Sequence, residues 1–349
     1  MALDFAIPGD MATLTGGYGY NRRLIAGLEA RGRNVRVLGL PDCFPDLTVG
    51  AAVAARAALS AAHAPLMVDS LALCALPPEI AAALPHPLIA LVHHPLGLEN
   101  GLSPALAAHL VSNERAVLAL CDHVLVTSAM TAARLVVDFG VEPCHISVAE
   151  PGTDARSRAQ GSGRTAQQGP LLVAAGSVVP RKGHDILVAA MARLPHMVWS
   201  LDIIGSLTRD PACALKLQAQ ISANSLGSRI TLRGEHAPET LAAAMARADI
   251  FVMPSLYEGF GMALTEALAA GLAVVSSDGG ALAATLPQGA GLMVAAGDVE
   301  ALAAALARVI GDAPLRSRLA EAAWLAGQTL PGWDDTVNKV AAMLQGVGA

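Results

Sequence analysis

The chain has 349 residues, 54% of them hydrophobic and 15% charged, with a formal net charge of −6. That length and apolar content suit two domains with large cores, and the negative balance argues against the broad basic face of a nucleic-acid-binding protein. Aromatic residues make up only 3%, so the cores are built mainly of Ala, Leu and Val.

The first residues, Met1-Ala2-Leu3-Asp4-Phe5-Ala6-Ile7, carry no basic leader, and 3–7 reads as a strand. Further short apolar runs at 34–39, 65–68, 88–93, 123–127 and 145–149 alternate with helical patterns at 20–30, 51–63, 78–84, 104–120 and 130–139. Such alternation implies a parallel sheet with helices on both faces and right-handed crossovers. Residues 156–170 are polar, glycine-containing and aperiodic, and read as an interdomain linker. Strands resume at 171–175, 199–205, 229–233, 250–253, 273–276 and 292–294; the tail from Asp298 is helical, with a last piece at 333–345 after Pro331-Gly332. The expected division is 1–160, 161–330 and a terminal helix within 331–349. No apolar stretch reaches the ~18 residues a membrane-spanning helix needs. Five cysteines without Cys-x-x-Cys spacing indicate no zinc or redox motif and suit a reducing cytoplasm.

Ligands of doubly wound sheets bind outside the carboxyl ends of the strands, so the loops there carry the chemistry. After 171–175 comes Gly176-Ser177-Val178-Val179-Pro180-Arg181-Lys182-Gly183-His184-Asp185. Two cations beside a helix start suit a departing diphosphate. They outweigh the helix itself, whose dipole is worth ~0.3–1 kcal/mol to an exposed anion, against ~2.7–4 kcal/mol for one preorganised donor. After 250–253 comes Pro254-Ser255-Leu256-Tyr257-Glu258-Gly259-Phe260-Gly261-Met262-Ala263-Leu264-Thr265-Glu266. This glycine loop opens a helix at 262–270 and gathers free backbone N–H groups that suit an anion. Glu258 in the loop and Glu266 in the helix can flank one ligand at different depths. Basic clusters at Asn21-Arg22-Arg23, 31–36 and Arg156-Ser157-Arg158 read as solvated surface or as contacts to an anionic acceptor or lipid headgroups. With neither Asp-x-Asp nor His-x3-His present, no metal is expected.

The Glu258-x7-Glu266 segment resembles the signature of the retaining glycosyltransferases of family 4. Three other stretches share the likeness. Residues 176–185 are similar to that family's Lys-Gly element, and Ala269-Ala270-Gly271-Leu272-Ala273-Val274-Val275-Ser276-Ser277 and Gly289-Ala290-Gly291-Leu292-Met293-Val294 to its following strands. The likeness covers nearly all of 170–325 and is weaker in the first half. It implies an α/β fold of GT-B architecture: two Rossmann-like doubly wound domains facing across a cleft, acceptor domain first, donor domain second, with the last helix crossing back to the first. It further implies that Glu266 binds the ribose hydroxyls of a nucleotide and Glu258 the transferred sugar. Arg181 and Lys182 would meet the diphosphate, and the main chain of Gly259, Phe260, Gly261 and Met262 the sugar or phosphate. Glu235 and His236 would pack on the nucleobase, with Gly205 lining the same pocket. Ser177 stands where the family often has an arginine, so that either Arg181 takes its place or the phosphate grip is altered. In the first half, Gly16 and Gly17 match a loop near donor phosphate and acceptor, and His93 a histidine near the donor sugar, with His94 as its alternative. Glu99, Ser128 and Glu150 are weaker acceptor-side candidates.

The activity implied is metal-independent, retaining hexosyl transfer from a nucleotide-diphosphate sugar. No other cofactor is implied. The acceptor would be a small molecule, a glycan or a lipid-linked species, met in the cytoplasm with peripheral membrane contact. A non-catalytic nucleotide-sugar-binding protein would keep the same donor site. A nicotinamide-dependent dehydrogenase shares the sheet type, but Gly17-x-Gly19-x-x-Arg22 breaks its glycine fingerprint.

Overall fold

The structure is a computed structural model that describes residues 2–348. It divides into two compact units. One runs to Gly152 and takes up the chain again at Pro331; the other is Thr153–Leu330.

The first unit holds β1 (Ala2–Pro8), β2 (Asn34–Leu40), β3 (Leu66–Asp69), β4 (Leu88–Val92), β5 (His123–Val126) and β6 (Ile146–Val148) in the order β2-β1-β3-β4-β5-β6, all parallel. Alternate residues go to opposite faces, as the pleat demands. Leu3, Phe5 and Ile7 of β1 join Leu24 and Leu28 of the helix Gly16–Ala30, and Ala6 joins the other face with Ala90 and Val92 of β4. The last helix, Trp333–Gly346, is part of this unit: Val337, Val340 and Leu344 complete the cluster around Leu3 and Phe5. Two long-range hydrogen bonds tie its start and the first helix to the chain just after β6. Thr336 Oγ1 donates to the Glu150 carbonyl (2.6 Å), and Tyr20 Oη donates to the neighbouring Ala149 carbonyl (2.9 Å).

The second unit holds β7 (Leu171–Ala175), β8 (Ser200–Ile204), β9 (Ile230–Gly234), β10 (Ile250–Met253), β11 (Ala273–Ser277) and β12 (Gly291–Val294) in the order β12-β11-β10-β7-β8-β9, again all parallel. This is the doubly wound order of two βαβαβ halves. Strand order reverses between β7 and β10 here and between β1 and β3 in the first unit. Such reversals open a crevice at the carboxyl ends of the two strands, where ligands bind.

Several boundaries differ from expectation. Residues 153–160 lie in the second unit, because the Ala159 N–H donates to the Ala270 carbonyl (2.8 Å), Gln160 to Ala246 (3.0 Å), and Arg158 pairs with Glu321 (2.5 Å). The expected free linker is likewise anchored: Asp249 accepts from the N–H groups of Ser162 (3.0 Å) and Leu171 (2.8 Å). The first helix begins at Gly16 rather than Tyr20, with Thr15 at its N-cap, so Gly16 and Gly17 form a helical turn instead of a loop. A short helix, Ser70–Leu73, has no counterpart in the periodicity and is capped by Asp69.

Gly27, inside the first helix, lies against Val337 so closely that a Cβ there would overlap Val337 Cγ2. A mid-helix Gly→Ala change ordinarily stabilises by ~0.5–1 kcal/mol. Gly27→Ala is expected to destabilise instead, by ~1–3 kcal/mol from overpacking. Adding Val337→Ala should make the pair better than the sum of its parts, as read in denaturant unfolding.

Candidate functional site

The reversal point of the second sheet joins three strand-end loops. β7 leads into Gly176 and the single 3-10 turn Pro180–Lys182; β10 leads into 254–261; β11 leads into 278–281. The loops are stitched through the main chain. Leu256 N–H donates to the Arg181 carbonyl (2.8 Å), Glu258 N–H to Gly279 (3.3 Å) and Ala281 N–H to Glu258 (2.9 Å). Arg181 adds a guanidinium bond to the Tyr257 carbonyl (2.9 Å). Gly176 has φ +147°, and the Lys182 stem lies where a Cβ would project. The lysine thereby runs along the strand end to Glu258.

Glu258 is the centre of this knot. It is buried, yet Lys182 Nζ donates to Oε1 (2.6 Å), Ser255 Oγ donates to the same oxygen (2.7 Å), and Arg181 Nη1 approaches Oε2 at 3.4 Å. Burial works to raise its pKa; Lys182 and Arg181 outweigh that and hold it at about 2. The carboxylate therefore carries no proton near neutrality and is no general acid. Its Oε2 retains acceptor capacity for a ligand hydroxyl. Two cations against one anion leave the cluster with a net positive charge.

Beyond Glu258, the N–H groups of Gly259, Phe260, Gly261 and Met262 make no backbone hydrogen bond among the described residues. They head the helix Met262–Ala269. One turn inside it, Glu266 faces Arg156 across 3.7 Å. Burial raises the Glu266 pKa, Arg156 opposes the rise and Asp154 adds to it. His184, fully buried, meets the Gly176 carbonyl through Nε2 (3.1 Å); burial lowers its pKa to about 4, so the neutral ring donates that bond. The neighbouring strand ends continue the lip. Half-buried Ser177 follows Gly176, the Gly205 N–H at the end of β8 donates to the Gly234 carbonyl (2.8 Å), and Glu235 and His236 follow β9. Among the described residues no group of His, Cys, Asp and Glu side chains could hold a metal ion.

In the first unit the reversal point gathers different groups. His93, just after β4, meets Asn21 Oδ1 through Nε2 (2.9 Å), and Asn21 Nδ2 donates to Asp69 Oδ2 at the end of β3 (2.9 Å). Gly17 lies against the imidazole at Cδ2. His94 turns away to Glu99 (3.5 Å). The loop that follows is held by Glu114, which is buried and accepts the N–H groups of Leu96 (2.8 Å) and Gly97 (2.7 Å); burial raises its pKa to about 7, against the pull of those two bonds.

The sequence therefore placed Arg181, Lys182, Glu258 and the 259–262 main chain in one neighbourhood, and the structure brings them together. It missed Ser255 as a partner of Glu258, Asn21 and Asp69 as partners of His93, and Arg156 as a partner of Glu266. Asp69 closes an apolar run and Asn21 interrupts an apolar helix face; both were visible signals. The basic clusters lie largely at the surface, where several of their arginines are paired. Arg22 binds the Met11 and Thr13 carbonyls, Arg31 pairs with Asp334 (2.8 Å), Arg36 with Asp4 (2.6 Å) and Arg158 with Glu321. Ser128 caps the helix Ala129–Phe139, and the main-chain carbonyl of Glu150 accepts from Thr336. No helix among the described residues is long and apolar enough to cross a membrane.

Two parallel doubly wound sheets with strand-end sites define an α/β two-domain protein of the GT-B class. Residues 156–324 match the family model of "Glycosyl transferases group 1". The MMP alpha-(1->4)-mannosyltransferase of Mycolicibacterium hassiacum is 29% identical over 213 residues, 58% of this chain and 50% of that protein. The D-inositol 3-phosphate glycosyltransferase of Xylanimonas cellulosilytica is 30% identical over 67% of this chain and 58% of its own length. The chain spans about half the length of the curated relatives it matches. Among solved structures, the sucrose-phosphate synthase of Thermosynechococcus elongatus superposes with a TM-score of 0.82 at 22% identity, covering 99% of each chain. An Anabaena protein, HepE, solved in complex with UDP-glucose, superposes with a TM-score of 0.77 at 18% identity over 98% of this chain and 99% of its own.

The ionised Glu258 makes a defined acid signature. An ordinary glutamate in the unfolded chain titrates near 4.5, the folded one at about 2. Its contribution to stability is therefore complete above the unfolded pKa and is lost as pH falls toward 2. Glu258→Gln should flatten the stability profile between those values by up to ~1.4 kcal/mol per pH unit. Lys182→Met should raise the Glu258 pKa and move the loss to higher pH. Acid titrations of the three proteins read both effects.

Proposed function

We propose that this chain is a retaining glycosyltransferase that moves a hexosyl group from a nucleotide-diphosphate sugar to a hydroxyl acceptor without a metal ion. One observation carries the reading: a cation pair neutralising a buried carboxylate at the strand-order reversal, beneath the free amides of a helix start. The family match over 156–324 and the curated relatives named for glycosyl transfer support it. The Anabaena structures holding UDP, and UDP with glucose, support a nucleotide-sugar donor.

Each group has a chemical task in this reading. Lys182 donates to Glu258 and keeps its positive charge at the strand end. That charge meets the diphosphate as its own charge grows, together with the 259–262 amides. Arg181 holds the loop that presents Glu258. Glu258 Oε2 accepts a sugar hydroxyl and, as a fixed anion, favours the oxocarbenium-like state. Glu266 accepts the vicinal ribose hydroxyls, while Glu235, His236 and Gly205 line the base side. Transfer breaks the bond from the anomeric carbon to the β-phosphate oxygen and forms a bond to the acceptor oxygen on the same face. The acceptor proton passes to the leaving diphosphate oxygen. In the first unit, His93 accepts a hydrogen bond from a substrate hydroxyl, beside the first-turn amides of Gly16 and Gly17.

Calorimetry with UDP and UDP-glucose separates these tasks. Lys182→Ala and Glu266→Ala should each weaken nucleotide binding ~10- to 100-fold. Glu258→Gln should leave UDP affinity within ~3-fold and abolish most turnover. Unchanged affinity in Lys182→Ala would overturn the donor site. Turnover should also survive EDTA; its loss, with restoration by manganese, would overturn metal independence.

A further inference from the structure

We propose that Asp69 is a positioning residue that acts through Asn21 to lock His93 as its Nε2–H tautomer, leaving Nδ1 as the acceptor for a substrate hydroxyl. The proposal rests on the glycosyltransferase reading for the identity of that hydroxyl, and on donor–acceptor logic for everything else.

The logic runs outward from the carboxylate. Asp69 ends β3, and its Oδ1 accepts the Leu71 N–H (3.0 Å), the cap of the helix Ser70–Leu73. Its Oδ2 lies 2.9 Å from the Asn21 amide nitrogen. A carboxylate accepts only, so the NH2 group of Asn21 must face it. Asn21 is 0% exposed, and no solvent competes for its amide. With the nitrogen committed to Asp69, the amide oxygen faces His93 Nε2 at 2.9 Å. An amide oxygen also accepts only, so Nε2 must carry the proton. Asp69 Oδ2, 3.7 Å from Nε2, lies beyond hydrogen-bond range and adds a favourable field for the same N–H.

The rest of the pocket agrees. Tyr20 stands edge-on to the ring, centroids 5.3 Å apart, and Gly17 covers Cδ2, so the Nε2–Cδ2 edge is the buried one. The side chain keeps 21% exposure, and Nδ1 has no hydrogen-bond partner among the described residues. Burial lowers the pKa of the imidazole, against the opposing pull of Asp69, which favours the neutral ring with a lone pair on Nδ1. The helix face around Asn21 otherwise buries Tyr20, Leu24, Ile25 and Leu28. A fully buried amide there costs stability unless both its ends are satisfied. The trio also sits where β1, β3 and β4 end at the sheet's order reversal, the place for a ligand in this fold. An acceptor nitrogen fits a sugar hydroxyl; a phosphate oxygen, which only accepts, does not pair with it.

Long-range proton–nitrogen correlation spectra of the full 15N-labelled chain test this near neutral pH, with the His93 signals assigned by their absence in His93→Gln. The expected pattern is a protonated-type nitrogen shift at Nε2 and an unprotonated-type shift at Nδ1. Asp69→Asn keeps an acceptor for Leu71 but lets the Asn21 amide reverse, so the two shifts should move toward a tautomer average. Asn21→Ala should do the same if Asp69→Asn folds poorly. With UDP-glucose and an acceptor, both variants should lose ~10-fold or more in kcat, with KM for the donor within ~3-fold. An Nδ1–H tautomer in the native chain, or native shifts retained in both variants, overturns the proposal, as does full kcat in variants whose shifts have moved. A native chain showing the expected tautomer yet transferring no sugar counts against the glycosyltransferase reading and leaves the Asp69–Asn21 lock standing.

Discussion

Glu258 keeps its charge inside the second unit because Lys182 and Arg181 reach it, and much of that unit's site geometry follows from this pairing. An isolated carboxylate taken out of water would neutralise itself by picking up a proton. Here the two cations hold the pKa at about 2. The ion cluster also ties the loop after β7 to the loop after β10, and the main-chain bonds of Glu258 to Gly279 and Ala281 tie both to the loop after β11. Removing Glu258 leaves both cations without their counter-charge, which costs more than the pair itself contributes. The geometry that fixes Glu258 thus also fixes the free amides of 259–262 beside it.

Both units use the same architectural device with different chemistry. Where strand order reverses, adjacent crossovers leave on opposite faces and the strand ends stay uncovered. The second unit fills that opening with ions: a lysine, an arginine, a carboxylate and a helix start. The first fills its own with a hydrogen-bonded chain of Asp69, Asn21 and His93, braced by Tyr20. The contrast is physical. An ionic cluster stabilises developing charge, whereas a tautomer-fixed imidazole presents one well-directed acceptor.

The strands were legible because parallel sheets buried on both faces leave near-continuous apolar runs. The runs at 171–175 and 250–253 coincide with β7 and β10, and most other strand limits move by a residue or two. The last helix was legible too, from its apolar positions after Pro331-Gly332. Helix starts were less so. Gly16 and Gly17 are poor helix formers and resembled a loop, but the Thr15 cap and the packing of Tyr20 and Leu24 carry the helix through them. The strap at 153–160 looked like a linker because its partners, Ala246, Ala270 and Glu321, lie far along the chain.

By itself the sequence determined the alternation of strand and helix, the loops at the strand ends and the presence there of Arg181, Lys182, Glu258, Glu266 and His93. Those are local facts, set by periodicity and by glycine and proline punctuation. Only the tertiary structure decided strand order, and with it which loops meet. It also decided that Lys182 and Arg181 spend part of their charge on Glu258, that Arg156 faces Glu266, and that Asp69 reaches His93 through Asn21. The reason is distance along the chain. Pairings such as 182 with 258, or 21 with 69 and 93, are made only when crossovers bring strand ends together, and no short window of residues contains that information.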